Sequence, residues 1–148
     1  MAITVRRDVL VGLPLEDLVA YLKDFSRTEE WDPGTVRCVR VDGGPVQVGT
    51  VWRNTSRFRG RTSDLLYRLV SEEPDRLLFV GENKTVTATD DLSFRTRSAT
   101  TTLLTYTASL RFKGWARLAT PFLRPEFERL ADAVADRLPS AATAHRRY

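Results

Sequence analysis

The sequence predicts an α+β fold: a curved, seven-stranded antiparallel sheet wrapped around one long C-terminal helix, with two short helices between strands one and two. Three observations predict it. Between residues 35 and 112, apolar and polar residues alternate in runs separated by turn chemistry at nearly regular spacing. One period-two run precedes them, followed by two short helical patterns. After them, a single stretch of more than about twenty residues carries apolar side chains at helical spacing.

Ile3, Val5, Val9 and Val11 share one parity, with Arg7 as the exception, and read as the first strand. Gly12 to Pro14 breaks it. Pro14 opens a helix through Leu15, Leu18, Val19 and Leu22, with Glu16 and Asp17 at its positive end. Ser26 to Trp31 reads as a second short helix, Ser26 being the N-cap and Glu29 standing at capping-box spacing. Asp32-Pro33-Gly34 then turns the chain. Six strands follow: Thr35 to Asp42, Gly49 to Arg59, Thr62 to Ser71, Arg76 to Glu82, Thr85 to Arg95, and Ala99 to Phe112. The last helix starts at Gly114, carries Trp115, Leu118, Phe122, Leu123, Phe127, Leu130, Val134 and Leu138, and kinks at Pro121 or Pro125. Pro139 is expected to stop it. Residues 1–139 are thus expected to form one domain and residues 140–148 a frayed tail.

Composition excludes several chemistries. Among 148 residues there is one cysteine, Cys38, and one histidine, His145. An internal disulfide framework and a Cys/His zinc site lack ligands. A histidine-based triad would need His145 to fold back from the tail. The net charge of +4 rests on three lysines and twenty arginines, scattered singly along strands and the last helix. In the densest group, Arg53, Arg57, Arg59 and Arg61, alternation puts the first three on one solvated strand face, so no nucleic-acid partner is expected. No run reaches the ~18 apolar residues of a transmembrane helix, and Arg6, Arg7 and Asp8 break any signal-peptide pattern. The expected compartment is the cytoplasm, with no integral membrane segment.

A long helix laid across a concave sheet cannot fill the whole concavity, which leaves an apolar cavity suited to a small molecule. At this point the sequence resembles a known family, the SRPBCC (START-like, helix-grip) superfamily and its polyketide cyclase/dehydrase and lipid-transport group. The resemblance rests on Glu30-Trp31-Asp32-Pro33, Gly49-Thr50-Val51-Trp52, Tyr67-Arg68-Leu69-Val70 and Glu73-Pro74-Asp75-Arg76-Leu77. It continues through Ala88 to Phe94, Thr101 to Ala108, and Gly114 leading into a helix with Pro121 and Phe127. Its order and spacing span residues 3 to 138. The resemblance implies the helix-grip fold and a hydrophobic ligand such as a lipid, sterol, polyketide or quinone; some members are cyclases.

Strand alternation nominates the residues that face the cavity. Trp52, Asn54, Ser56 and Phe58 oppose three arginines and point inward. Leu104, Tyr106, Ala108, Leu110 and Phe112 form an inward set, as do Val86, Ala88, Asp90, Leu92 and Phe94, and Leu65, Tyr67 and Leu69. The expected ligand contacts are Trp31, Trp52, Asn54, Phe58, Tyr67, Asp90, Leu92, Tyr106 and Phe122, with Trp31 at the entrance. Asp90 and Arg7 break their apolar parities, and a buried charge needs a partner. Either they meet through Tyr106 in one polar cluster, or Asp90 caps backbone amides near a strand end or bulge while Arg7 snorkels to the rim. The expected function is to carry or sense a hydrophobic small molecule without metal or cofactor. The alternative is a cyclase/aromatase-like or dehydratase-like enzyme whose candidate catalytic residues are Asp90, Tyr106 and Arg7. The sequence leaves the oligomeric state open.

Overall fold

The computed structural model describes residues 2–146. In chain order the elements are β1 (Ala2–Val11), α1 (Leu15–Lys23), a 3-10 turn (Phe25–Arg27), α2 (Thr28–Trp31) and β2 (Thr35–Arg40). Then come β3 (Val51–Phe58), β4 (Arg61–Glu73), β5 (Arg76–Glu82), β6 (Val86–Ser98) and β7 (Thr101–Phe112). A second 3-10 segment (Gly114–Ala119) leads into α3 (Thr120–Arg146). One antiparallel sheet has the order β1-β7-β6-β5-β4-β3-β2, and α3 packs across it as in a helix-grip fold.

The alternation places the core as expected. Leu65, Tyr67 and Leu69 are buried on β4, and Val86, Ala88, Asp90, Leu92 and Phe94 on β6. Register shifts at Thr35/Arg37, Leu69/Ser71 and Thr96/Ser98 add local bends to the sheet. The β3–β4 hairpin turns through Arg59 (φ 54°) and Gly60 (φ 78°), two successive left-handed residues that match the twist of the strands.

Three local expectations are corrected. Ser26 does not cap a helix; Asp24 caps the 3-10 turn, accepting from the Ser26 backbone N–H (3.1 Å) and hydroxyl (2.6 Å). Glu29 reaches across to the Cys38 backbone N–H instead (2.7 Å). The last helix does not begin at Gly114. The 3-10 segment stands away from the sheet, and Trp115, Leu118 and Phe122 are 88%, 69% and 73% exposed. Nor does Pro139 stop α3, which runs on to Arg146. Leu138 and Ala142 are both buried and continue the apolar stripe across the proline, so packing offsets the lost backbone hydrogen bond. Ser140 to Arg146 are therefore helical rather than frayed; Arg147 and Tyr148 lie outside the described residues.

Each strand runs between two ends of the sheet. At one end sit α1, the β4–β5 turn and the C-terminal turns of α3, where the His145 ring lies 5.1 Å from that of Tyr21. At the other end are the β3–β4 hairpin, the β5–β6 turn and the β7–α3 junction. The site lies at the second end.

Candidate functional site

Between the sheet and α3 there is a cavity of about 400 Å³, within the usual range for small-molecule sites. Its apolar wall comes from Phe58, Leu65, Val86, Ala88, Ala108, Leu110 and Phe112 of the sheet and Phe127 and Leu130 of α3. Exposed Arg57, Arg61, Thr62 and Thr85 mark its open end. Toward the middle of the sheet, Tyr67, Asp90 and Tyr106 form a polar floor, with Asp32 from the α2–β2 turn beside them.

Alternation alone brings the floor together. Asp90 stands on β6 opposite Phe79 of β5 and Ala108 of β7, and Tyr106 lies two residues along β7 on the same face. The Asp90 carboxyl and the Tyr106 phenol lie close enough to influence each other. Burial, reinforced by the nearby Asp32 carboxylate, pushes Asp90 up to about 7, with the Tyr106 phenol pulling back. Asp32 is also raised by burial, but it accepts from the Gly34 N–H (2.9 Å) and the Thr35 hydroxyl (3.0 Å). Tyr67 and Tyr106 are pushed well above the usual phenol range by burial and by these two carboxylates. Both phenols therefore remain hydrogen-bond donors at neutral pH, and Asp90 exchanges a proton near it.

Tyr67 has its place because Gly81 lies opposite it in the β4–β5 register. A Cβ at Gly81 would come within 2.6 Å of the Tyr67 ring. The missing side chain lets the ring lie flat over the neighbouring strand.

Of the expected ligand contacts, Phe58, Tyr67, Asp90 and Tyr106 line the cavity. The others lie elsewhere. Trp52 is fully buried in an aromatic cluster with Phe25 and Phe79, ring centroids 5.9 and 5.8 Å away. Asn54 is buried below the wall, donating to the Thr35 hydroxyl (3.2 Å) and accepting from Ser56. Leu92 is fully buried opposite Tyr106 in the register. Trp31 does not close the entrance; it is buried and packs edge-on against Tyr106 at 6.1 Å. Phe122 points into solvent.

Arg7 leaves the expected cluster as well. Although β1 pairs it with Tyr106, its guanidinium turns to α3, donating to Asp132 (2.8 Å) and Glu128 (3.0 Å). Carboxylates on the helix nearer the surface neutralise it with less desolvation than a buried one requires. Asp91, adjacent to Asp90 in sequence, points to the opposite face and forms a two-bonded pair with Arg76 (2.8 and 3.0 Å). Cys38 is buried and its thiol is raised to about 11, chiefly by burial, which suits an inert packing residue. Among the described residues no cluster of His, Cys, Asp and Glu is arranged to hold a metal.

Alternation alone does not reveal Asp32, Phe127 and Leu130 as lining residues. The signal for the last two is the apolar stripe of the last helix. Asp32 carries none, because its Asp-Pro-Gly setting is that of an ordinary turn.

The family described as polyketide cyclase / dehydrase and lipid transport matches residues 2–143. The chain belongs to this family. Among solved structures it is similar to an aromatase/cyclase from a Streptomyces species, with TM-score 0.76, 15% identity, and 98% of this chain and 93% of that chain covered. It is also similar to a START superfamily protein from Mycobacterium smegmatis, at TM-score 0.78 and 14% identity over 95% and 97% of the two chains. A protein from Thermus thermophilus gives TM-score 0.79 at 13% identity, covering 96% and 98%. At these identities the likeness establishes the fold and leaves the chemistry to this chain's own residues. No curated protein sequence matches. No helix among the described residues is long and apolar enough to cross a membrane.

Proposed function

We propose that the protein binds an apolar small molecule carrying a carbonyl or hydroxyl group at one end, and acts as its carrier or sensor. One observation carries this reading: an apolar-walled cavity of about 400 Å³ ends in a floor of Tyr67, Asp90 and Tyr106. The walls would hold the hydrocarbon part by burial. The floor would fix its orientation through a neutral Asp90 and two phenols. Below about pH 7 Asp90 is a donor as well as an acceptor. Above that pH it becomes a buried anion that repels a carbonyl oxygen.

The test is native mass spectrometry of the purified protein, followed by a thermal-shift screen of lipids, quinones and aromatic polyketides. A retained or stabilising apolar ligand is expected. Its hold should weaken in the Tyr106→Phe variant and, for a carbonyl ligand, above about pH 7. A cavity that takes up no apolar compound in either assay overturns the reading.

The position of Asp90 supports a second reading. A carboxyl that titrates near neutrality next to a phenol is suited to general acid–base work on an enolisable carbonyl. This reading makes the protein a cyclase/aromatase-like or dehydratase-like enzyme using Asp90 and Tyr106, without Arg7. Turnover of an aromatic polyketide surrogate that disappears in Asp90→Asn separates it from simple binding.

A further inference from the structure

Trp115, Leu118 and Phe122 recur at a helical spacing, yet all three stand in solvent. A tryptophan that is 88% exposed beside two large apolar neighbours leaves a patch in water that a partner would cover. Their place in the fold is specific. The segment leaves the sheet directly after Phe112, which lines the cavity, and returns as α3, whose Phe127 also lines it. The Lys113 backbone N–H bonds to the Thr85 carbonyl (2.7 Å), tying the segment to the β5–β6 turn at the same open end.

The charge at this end is mainly positive, with Asp64 and Glu82 the exposed acids near it. The β3–β4 hairpin contributes exposed Arg57, Arg59 and Arg61, the β5–β6 turn Lys84, and the segment with its flanks Arg111, Arg117 and Arg124. Residues 57–62 and 111–124 contain no acidic residue. Glu82, the acid beside Lys84, is taken up by Lys113 (3.0 Å). Arg124 has a loose pairing with Glu128 (3.8 Å), and Arg117 donates to the Gly114 carbonyl.

We infer that this end of the molecule docks on the surface of an anionic lipid bilayer, with Trp115, Leu118 and Phe122 inserted among the headgroups and the basic side chains over lipid phosphates. Amphipathic aromatic side chains flanked by arginine and lysine match the chemistry of that interface. A second copy of this chain fits poorly. A two-fold contact would set the basic rim of one molecule against that of the other. Docking in this orientation turns the cavity mouth toward the acyl chains, so an apolar ligand can enter or leave without crossing water.

The test uses the full chain with vesicles of phosphatidylcholine alone or mixed with phosphatidylglycerol. Co-sedimentation and tryptophan emission are the readouts. Trp31 and Trp52 are buried, so a blue shift on binding reports Trp115. Binding is expected to the anionic vesicles only, with a blue shift, and to weaken as salt is raised. The variant Trp115→Ser with Leu118→Ser and Phe122→Ser should lose at least about ten-fold in partitioning. Its unfolding midpoint should be unchanged, because the three side chains are exposed. Arg59→Gln, Lys84→Gln and Arg117→Gln should each cost roughly five-fold. Absence of binding to anionic vesicles overturns the inference, as does equal binding to neutral ones or binding indifferent to Trp115. A concentration-dependent dimer that the triple variant abolishes would assign the face to a second copy and overturn it too. Vesicle binding does not require an occupied cavity, so this result stands or falls apart from the ligand screen.

Discussion

The two ends of the sheet's inner face carry the same alternation and are used differently. At the end nearer α1, Phe25 drops onto the sheet and packs against Phe79, Tyr67 and Trp52, with ring centroids 4.5, 4.6 and 5.9 Å away. Leu69, Leu77, Leu92 and Leu104 complete a filled core there. At the hairpin end the same strands present Phe58, Leu65, Ala88 and Ala108, with only Phe127 and Leu130 of α3 above them, and the space stays open. Tyr67, Asp90 and Tyr106 stand at the boundary. Alternation therefore tells which face of a strand is inside. Whether the inside is core or cavity depends on what the helices bring over it.

The largest effect should come from removing the plug. Phe25→Ala should cost about 3–5 kcal/mol in urea unfolding and extend the cavity toward Trp52, so that bulkier apolar ligands stabilise the variant. A loss below about 1 kcal/mol would mean that the filled end does not rest on Phe25. The boundary comes next. Asp90 titrates higher in the folded chain than in the unfolded one, so the folded state holds the extra proton. Its contribution to stability is greatest below about pH 4 and falls as pH rises to about 7, by up to about 4 kcal/mol at ~1.4 kcal/mol per pKa unit. Asp90→Asn should flatten that slope and be the more stable protein above about pH 7; a thermal-melt series across pH checks both. Gly81→Ala should cost about 1–3 kcal/mol by driving a methyl group into the Tyr67 ring. It should also tilt that ring into the cavity, seen as weaker ligand retention. The smallest effect is expected at Arg7. Its guanidinium is partly exposed and its partners Glu128 and Asp132 more so, so Arg7→Met should change stability by less than about 1 kcal/mol. Ligand retention should be unaltered, because Arg7 is not at the boundary.

The fold is legible in the sequence because period-two runs and turn residues are local signals, repeated in every strand. The floor is legible for a related reason. Asp90 is a charge inside an apolar parity, and Tyr106 follows from a strand of clear alternation; Tyr67 lies in a strand whose parity Leu66 and Val70 blur. The partner of Arg7 is not legible, because its acids sit on a helix whose rotation about its axis the sequence does not set. Parity does not distinguish the two ends of a strand, so Trp52 and Leu92 look like wall residues when they belong to the filled core. Trp115 and Phe122 have the spacing of a buried stripe. Only the position of the 3-10 segment outside the sheet shows that they have nothing to pack against. The rule that makes Pro139 a stop is local, whereas Ala142 is held by a distant part of the core.

The strand order has a consequence for how the chain comes to be folded. β1 precedes every other described element, yet its ladder partner is β7, with Ile3 opposite Leu110 and Val9 opposite Leu104. The helix that covers β1 follows every other described element in the chain. During synthesis Ile3, Val5, Val9 and Val11 must wait without a partner while nearly the whole chain emerges. Folding should then be a late, collective event of high contact order, slow for a protein of this size. The interval in which an apolar edge strand stands open to other chains is set by the pace of translation rather than by any local interaction.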